Sequence, residues 1–107
     1  MWEEQLAFYD KLVATNPNFE RKGKTVPYTS ANGHMFSILN KDGEIGIRLS
    51  KESGEKFMQD HQTTQFKSHG AFMRGYVLIP SHLYDDLEFL GTVLQEGYDY
   101  VLSLKPK

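Results

Sequence analysis

Cysteine is absent from this chain. Disulfides, thiolate metal sites and a cysteine nucleophile are thereby excluded, and a secreted scaffold held by staples is not expected. Long apolar runs are missing as well, and nothing approaches the roughly 20 consecutive apolar residues that span a bilayer. The N-terminal segment MWEEQLAFYDKL is acidic and amphipathic. A signal peptide would open on basic residues and continue as an unbroken apolar stretch. Internal repeats and low-complexity tracts are also lacking, which removes solenoids and disordered tails from consideration. Together these absences predict a cytoplasmic domain that does not enter a membrane and requires no cofactor.

What is present is globular. Apolar residues make up 39 % of the 107 positions and charged residues 24 %, a composition far from the disordered regime. That length suits one domain, which buries roughly two-thirds of the surface its unfolded chain would expose. Seven Phe and six Tyr supply much of that burial. The net charge of −2 is unevenly spread. Residues 1–20 carry one cation against four acids, 21–51 six against two, 52–82 three against three, and 83–107 two against five. A basic middle between acidic ends is too weak an asymmetry to demand nucleic acid, but it can set how two proteins face each other.

Periodicity places the elements. Trp2, Leu6, Tyr9 and Val13 share one helical face over residues 2–14, and Asn16-Pro17-Asn18 ends that helix. Val26 to Ser30 reads as a short strand, at an edge because of Pro27. Asn32-Gly33 is a turn. Asp42-Gly43 reads as a two-residue hairpin turn between His34–Lys41 and Glu44–Ser50. That register pairs Lys41 with Glu44, Leu39 with Gly46 and Ser37 with Arg48. It sends Phe36, Ile38, Ile47 and Leu49 to the core, and Met35, Leu39, Gly46 and Arg48 to the opposite face. Ser50 caps a second helix anchored by Phe57 and Met58. Gln65–Lys67 and Phe72–Ile79 read as strands, joined by a turn at Ser68-His69-Gly70. Asp85 or Asp86 caps a last helix with a stripe of Leu87, Leu90, Leu94, Tyr98 and Val101. The fold class is therefore α+β: a mainly antiparallel sheet of about five strands with three helices, in the order α-β-β-β-α-β-β-α.

Catalytic signatures fail on inspection. Gly23-Lys24-Thr25 lacks the upstream glycine and following helix of a phosphate-binding loop. His34, His61, His69 and His82 lack the spacing of a helical metal site. Asp85, Asp86 and Glu88 sit where acids offset a helix dipole. No Gly-x-Ser-x-Gly elbow is present. These patterns name no catalytic residue and no metal ligand. The leading functional reading is a non-enzymatic binding or regulatory domain, acting as a homodimer or on a protein partner through the second sheet face. Met35, Leu39, Arg48 and Tyr76 are its candidate contacts. A second reading is a small-molecule binder or enzyme whose pocket gathers Tyr28, His34, Arg48 and Arg74. A third is weak nucleic-acid contact through Arg21, Lys22 and Lys24, which the acidic overall charge disfavours.

The run Asn32-Gly33-His34-Met35-Phe36-Ser37-Ile38-Leu39-Asn40-Lys41-Asp42-Gly43-Glu44-Ile45-Gly46-Ile47-Arg48-Leu49 resembles the central signature of the N-terminal domain of TfoX/Sxy proteins. The likeness continues through Phe57, Gly75-Tyr76-Val77, Pro80 and the terminal helix, covering about residues 5–104. It implies a secretion-chaperone-like α+β fold related to YjbR-like domains, occupying 1–107 as a stand-alone domain. It also implies a regulatory role, since longer family members regulate natural competence, and it assigns no catalytic residues. Pro27-Tyr28-Thr29-Ser30 departs from the Met-Phe-Gly-Gly-like strand of the family.

Overall fold

The computed structural model describes residues 2–68 and 70–107, so His69 of the expected turn lies outside the described residues. Helix α1 (Trp2–Val13) leads to β1 (Tyr28–Ala31), β2 (His34–Leu39) and β3 (Ile45–Arg48). Helix α2 (Lys51–Asp60), β4 (Gln65–Ser68), β5 (Ala71–Leu78), a 3-10 turn at Ser81–Leu83 and α3 (Leu87–Leu102) complete the chain. The strands form one antiparallel sheet in the order β1-β2-β3-β5-β4. The expected α+β class and element order hold. The expected caps form too. Ser50 Oγ accepts from the Ser53 N–H at 3.2 Å, and Asp86 Oδ1 accepts from the Phe89 N–H at 3.1 Å. No described helix is long and apolar enough to cross a membrane.

The β2–β3 register corrects the sequence reading. Leu39 pairs with Ile45, Ile38 with Gly46 and Ser37 with Ile47, one residue away from the expected register. The cause is Asn40. Its Oδ1 accepts from the N–H groups of Asp42 (3.0 Å) and Glu44 (2.9 Å), and its carbonyl accepts from Gly43 N–H at 3.0 Å. This side-chain turn widens the loop beyond two residues, with Gly43 at φ 82°. Asn32 (φ 58°) and Gly33 (φ 80°) form the true two-residue turn. A one-residue slip reverses which face each side chain meets. On β3 the expected faces stand, with Ile47 toward the helices and Gly46 away, whereas on β2 Leu39 turns to the helices and is buried while Ile38 faces away. Phe36 still reaches the helix side because a bulge leaves it opposite no β1 residue: Thr29 pairs with Ser37, and Ser30 with Met35.

All three helices contribute to one core, with Tyr9, Leu12, Phe57, Leu90, Leu94 and Val101 packed on the sheet. Under α1 the buried hydroxyls of Tyr9, Ser37 and Thr29 form a chain in which Ser37 meets both others. Every member is partnered, as a dry interior requires. Helix α3 lies directly on β3. A Cβ built at Gly97 would stand 2.8 Å from the Arg48 carbonyl, so only glycine permits this approach. Among the described residues, no helix packs in the cluster on the opposite sheet face. A second, smaller core sits there, made of Ile38, Phe66 and Tyr76 with Val26, Tyr28, Met35, Met73 and Leu78 around it. Phe66 reaches from β4 across to Gly46 of β3 and is fully buried.

Candidate functional site

The sheet is most irregular in β5, and that irregularity builds a cleft. Gln65 pairs with Val77 and Lys67 with Phe72, so one β4 residue, Phe66, stands opposite the four-residue stretch Met73–Tyr76. The excess bulges outward, with Gly75 in the left-handed region at φ 87°, where a side chain is strained. Gln65 Nε2 donates to the Met73 carbonyl at 3.3 Å and holds the bulge to its neighbour. Bulges of this kind redirect side chains. Here Arg74 and Gly75 line a cleft of about 650 Å³ together with Arg48 from the end of β3 and Lys51, the first residue of α2. Leu49, Met58 and Val77 give it an apolar wall.

Electrostatics distinguish this cleft. Arg48, Lys51 and Arg74 bring three cations to it, and Glu55 is the one carboxylate among its described lining residues. Among the described residues no ion pair involves any of the three cations. Arg48 is held instead by the ring of Tyr100, its Cζ 5.6 Å from the ring centroid. A cation over an aromatic face uses none of its N–H donors, so the guanidinium keeps all five for a ligand. Tyr100 lies one turn beyond Gly97, and the close approach of α3 at Gly97 brings it within reach of Arg48. Tyr76 also lines the cleft, but its hydroxyl donates to the Met35 carbonyl at 2.8 Å. Burial pushes that hydroxyl up to about 12, with the Arg48 charge pulling partly the other way.

The sequence-derived sites divide. Of the expected pocket, Arg48 and Arg74 come together, whereas Tyr28 packs in the second core beside Gly23. His34 is drawn to the C-terminal tail, its Nε2 2.9 Å from the Lys105 carbonyl. Of the four expected interface residues, Met35 and Tyr76 lie in the helix-free cluster, whereas Arg48 turns to Tyr100 of α3 in the cleft. The register places Leu39 at 0 % exposure in the helix-side core, which removes it as a surface contact. The basic trio is also broken up. Arg21 is paired with Asp10 (Nε–Oδ1 2.9 Å) and donates to the Gly23 carbonyl, leaving Lys22 and Lys24 exposed. No described cluster of histidine and acid residues is placed to hold a metal ion. His61 sits between the rings of Phe57 and Phe89, and Asp86 is a cap.

Sequence reasoning missed Lys51, Gly75 and Tyr100. Gly75 did carry a signal, because a glycine inside a strand pattern marks a bulge or a close approach. Lys51 and Tyr100 carried none, since only packing brings them together. Comparison of the chain with family models and with curated proteins finds no match.

Proposed function

We propose that this chain is a non-enzymatic binding domain that takes an anionic ligand in the Arg48–Lys51–Arg74 cleft. The observation that carries this reading is the set of three cations around one concavity without an ion pair among the described residues. Like charges held together repel unless something of opposite sign joins them. The cleft volume of about 650 Å³ falls in the range of small-molecule sites. The regulatory role that the TfoX/Sxy resemblance implies, and the cytoplasmic setting expected from the composition, belong to the same proposal, with occupancy of the cleft as the signal. The test is a titration with citrate followed by amide NMR. The Lys51 and Gly75 signals shift in the native chain and stay still in Arg48→Gln/Arg74→Gln. Absence of any shift at these amides with millimolar citrate overturns the reading.

A second reading, self-association or a protein partner on the helix-free face, is favoured by a specific feature. Tyr28, Met35, Met73 and Leu78 remain partly exposed there, and Phe72 on the adjoining hairpin is 61 % exposed. Exposed apolar surface of this kind marks interaction sites.

A further inference from the structure

We propose that the anion taken by this cleft is the phosphate monoester of a small organic molecule with an apolar or aromatic body. The inference rests on the anion-binding reading above and names its ligand class. Charge is the first argument. Three cations against the single carboxylate of Glu55 leave the cleft two positive charges in excess. A phosphate monoester carries about −1.5 to −2 near neutrality, whereas a carboxylate carries one charge. The monoester matches the excess and a monocarboxylate does not.

Geometry is the second argument. The cations come from three different elements: Arg48 from the end of β3, Lys51 from the start of α2, and Arg74 from the β5 bulge. A tetrahedral phosphate offers three outward oxygens to such a tripod. A planar carboxylate offers two in one plane. Both arginines present fork-shaped donor sets suited to phosphate, and Lys51 adds a point charge. Lys51 also opens a helix of 10 residues whose positive dipole end lies there. Size is the third argument. A cavity of about 650 Å³ is far roomier than bare phosphate needs. Its remaining wall is the apolar surface of Leu49, Met58 and Val77 with the Tyr100 ring, which suits an organic body.

The test compares phenyl phosphate, benzoate and inorganic phosphate by calorimetry and by the Gly75 amide shift. Benzoate keeps the ring and loses the dianion; inorganic phosphate keeps the dianion and loses the ring. Phenyl phosphate should bind at least about tenfold more tightly than either, since the lost charge-assisted hydrogen bonds or apolar contact each weigh that much. Arg74 is exposed, so Arg74→Gln should leave the unfolding midpoint unchanged while weakening phenyl phosphate by about tenfold or more. Benzoate binding as tightly as phenyl phosphate overturns the phosphate assignment and leaves the anion reading intact. Inorganic phosphate binding as tightly overturns the organic body. Silence from all three, with citrate also silent, removes both readings. Undiminished affinity in Arg74→Gln removes the site.

Discussion

Replacing Gly46 with alanine should destabilise the chain although nothing in the backbone forbids it. Gly46 lies in β3 outside the left-handed region, so alanine is conformationally acceptable. The obstacle is the ring of Phe66. A Cβ at position 46 would fall 2.4, 2.6 and 2.7 Å from its Cγ, Cδ2 and Cδ1. Phe66 is fully buried beside Tyr76 and cannot swing into solvent. Overpacking of a close-fitted core costs about 1–3 kcal/mol. The smaller conformational freedom of unfolded alanine offsets about 0.4–1 kcal/mol of that. A net loss of about 1–2 kcal/mol lowers the urea midpoint by about 1 M, given slopes of about 1–3 kcal/mol/M. Fluorescence of the single tryptophan can follow it, because Trp2 Nε1 donates to the Asn40 carbonyl at 3.0 Å in the folded chain. The double variant Gly46→Ala/Phe66→Leu should recover part of the loss, with an interaction energy of about 0.5–3 kcal/mol for residues in contact. An unchanged midpoint in Gly46→Ala, or strict additivity in the double variant, would refute the packing of Phe66 across the sheet.

Two further outcomes follow from burial. Desolvation raises the hydroxyl pKa of Tyr9, Tyr76 and Tyr84 above the ordinary value of 10.0, to about 12 for Tyr76. The folded chain therefore holds these protons more tightly than the unfolded chain. The contribution of Tyr76 is fully present below pH 10 and is lost as pH rises from there through about 12. Urea midpoints measured across that interval should fall steeply in the native chain and less steeply in Tyr76→Phe; equal slopes would count against a buried Tyr76. The corrected register separates Leu39 from Met35. Leu39→Asp places a carboxylate in the helix-side core and should abolish the folded circular dichroism spectrum, whereas Met35→Asp should stay folded and weaken any self-association seen by sedimentation. A folded Leu39→Asp would contradict the register.

By itself, the sequence determined what short-range physics controls. Alternating apolar residues and turn pairs specify strands, and a period near 3.6 specifies helices. Ser50 and Asp86 cap their helices through backbone groups three residues away. Those signals suffice for the α+β class and the element order. Tertiary structure alone decided which way β2 faces. Asn40 bonds to Asp42 and Glu44 within its own loop and also donates to the Lys67 carbonyl at 3.0 Å, far along the chain. That wider turn moves Leu39 from surface to core. Beside the bulge in β5, Phe66 crosses to Gly46, a contact between strands that are not neighbours in the sheet. The cleft follows from both. Arg48, Lys51, Arg74 and Tyr100 belong to four elements, and no spacing along the chain encodes their meeting. Local hydrogen bonding and periodicity act over a few residues. A site assembled from distant charges exists only once the core has fixed the distances between them.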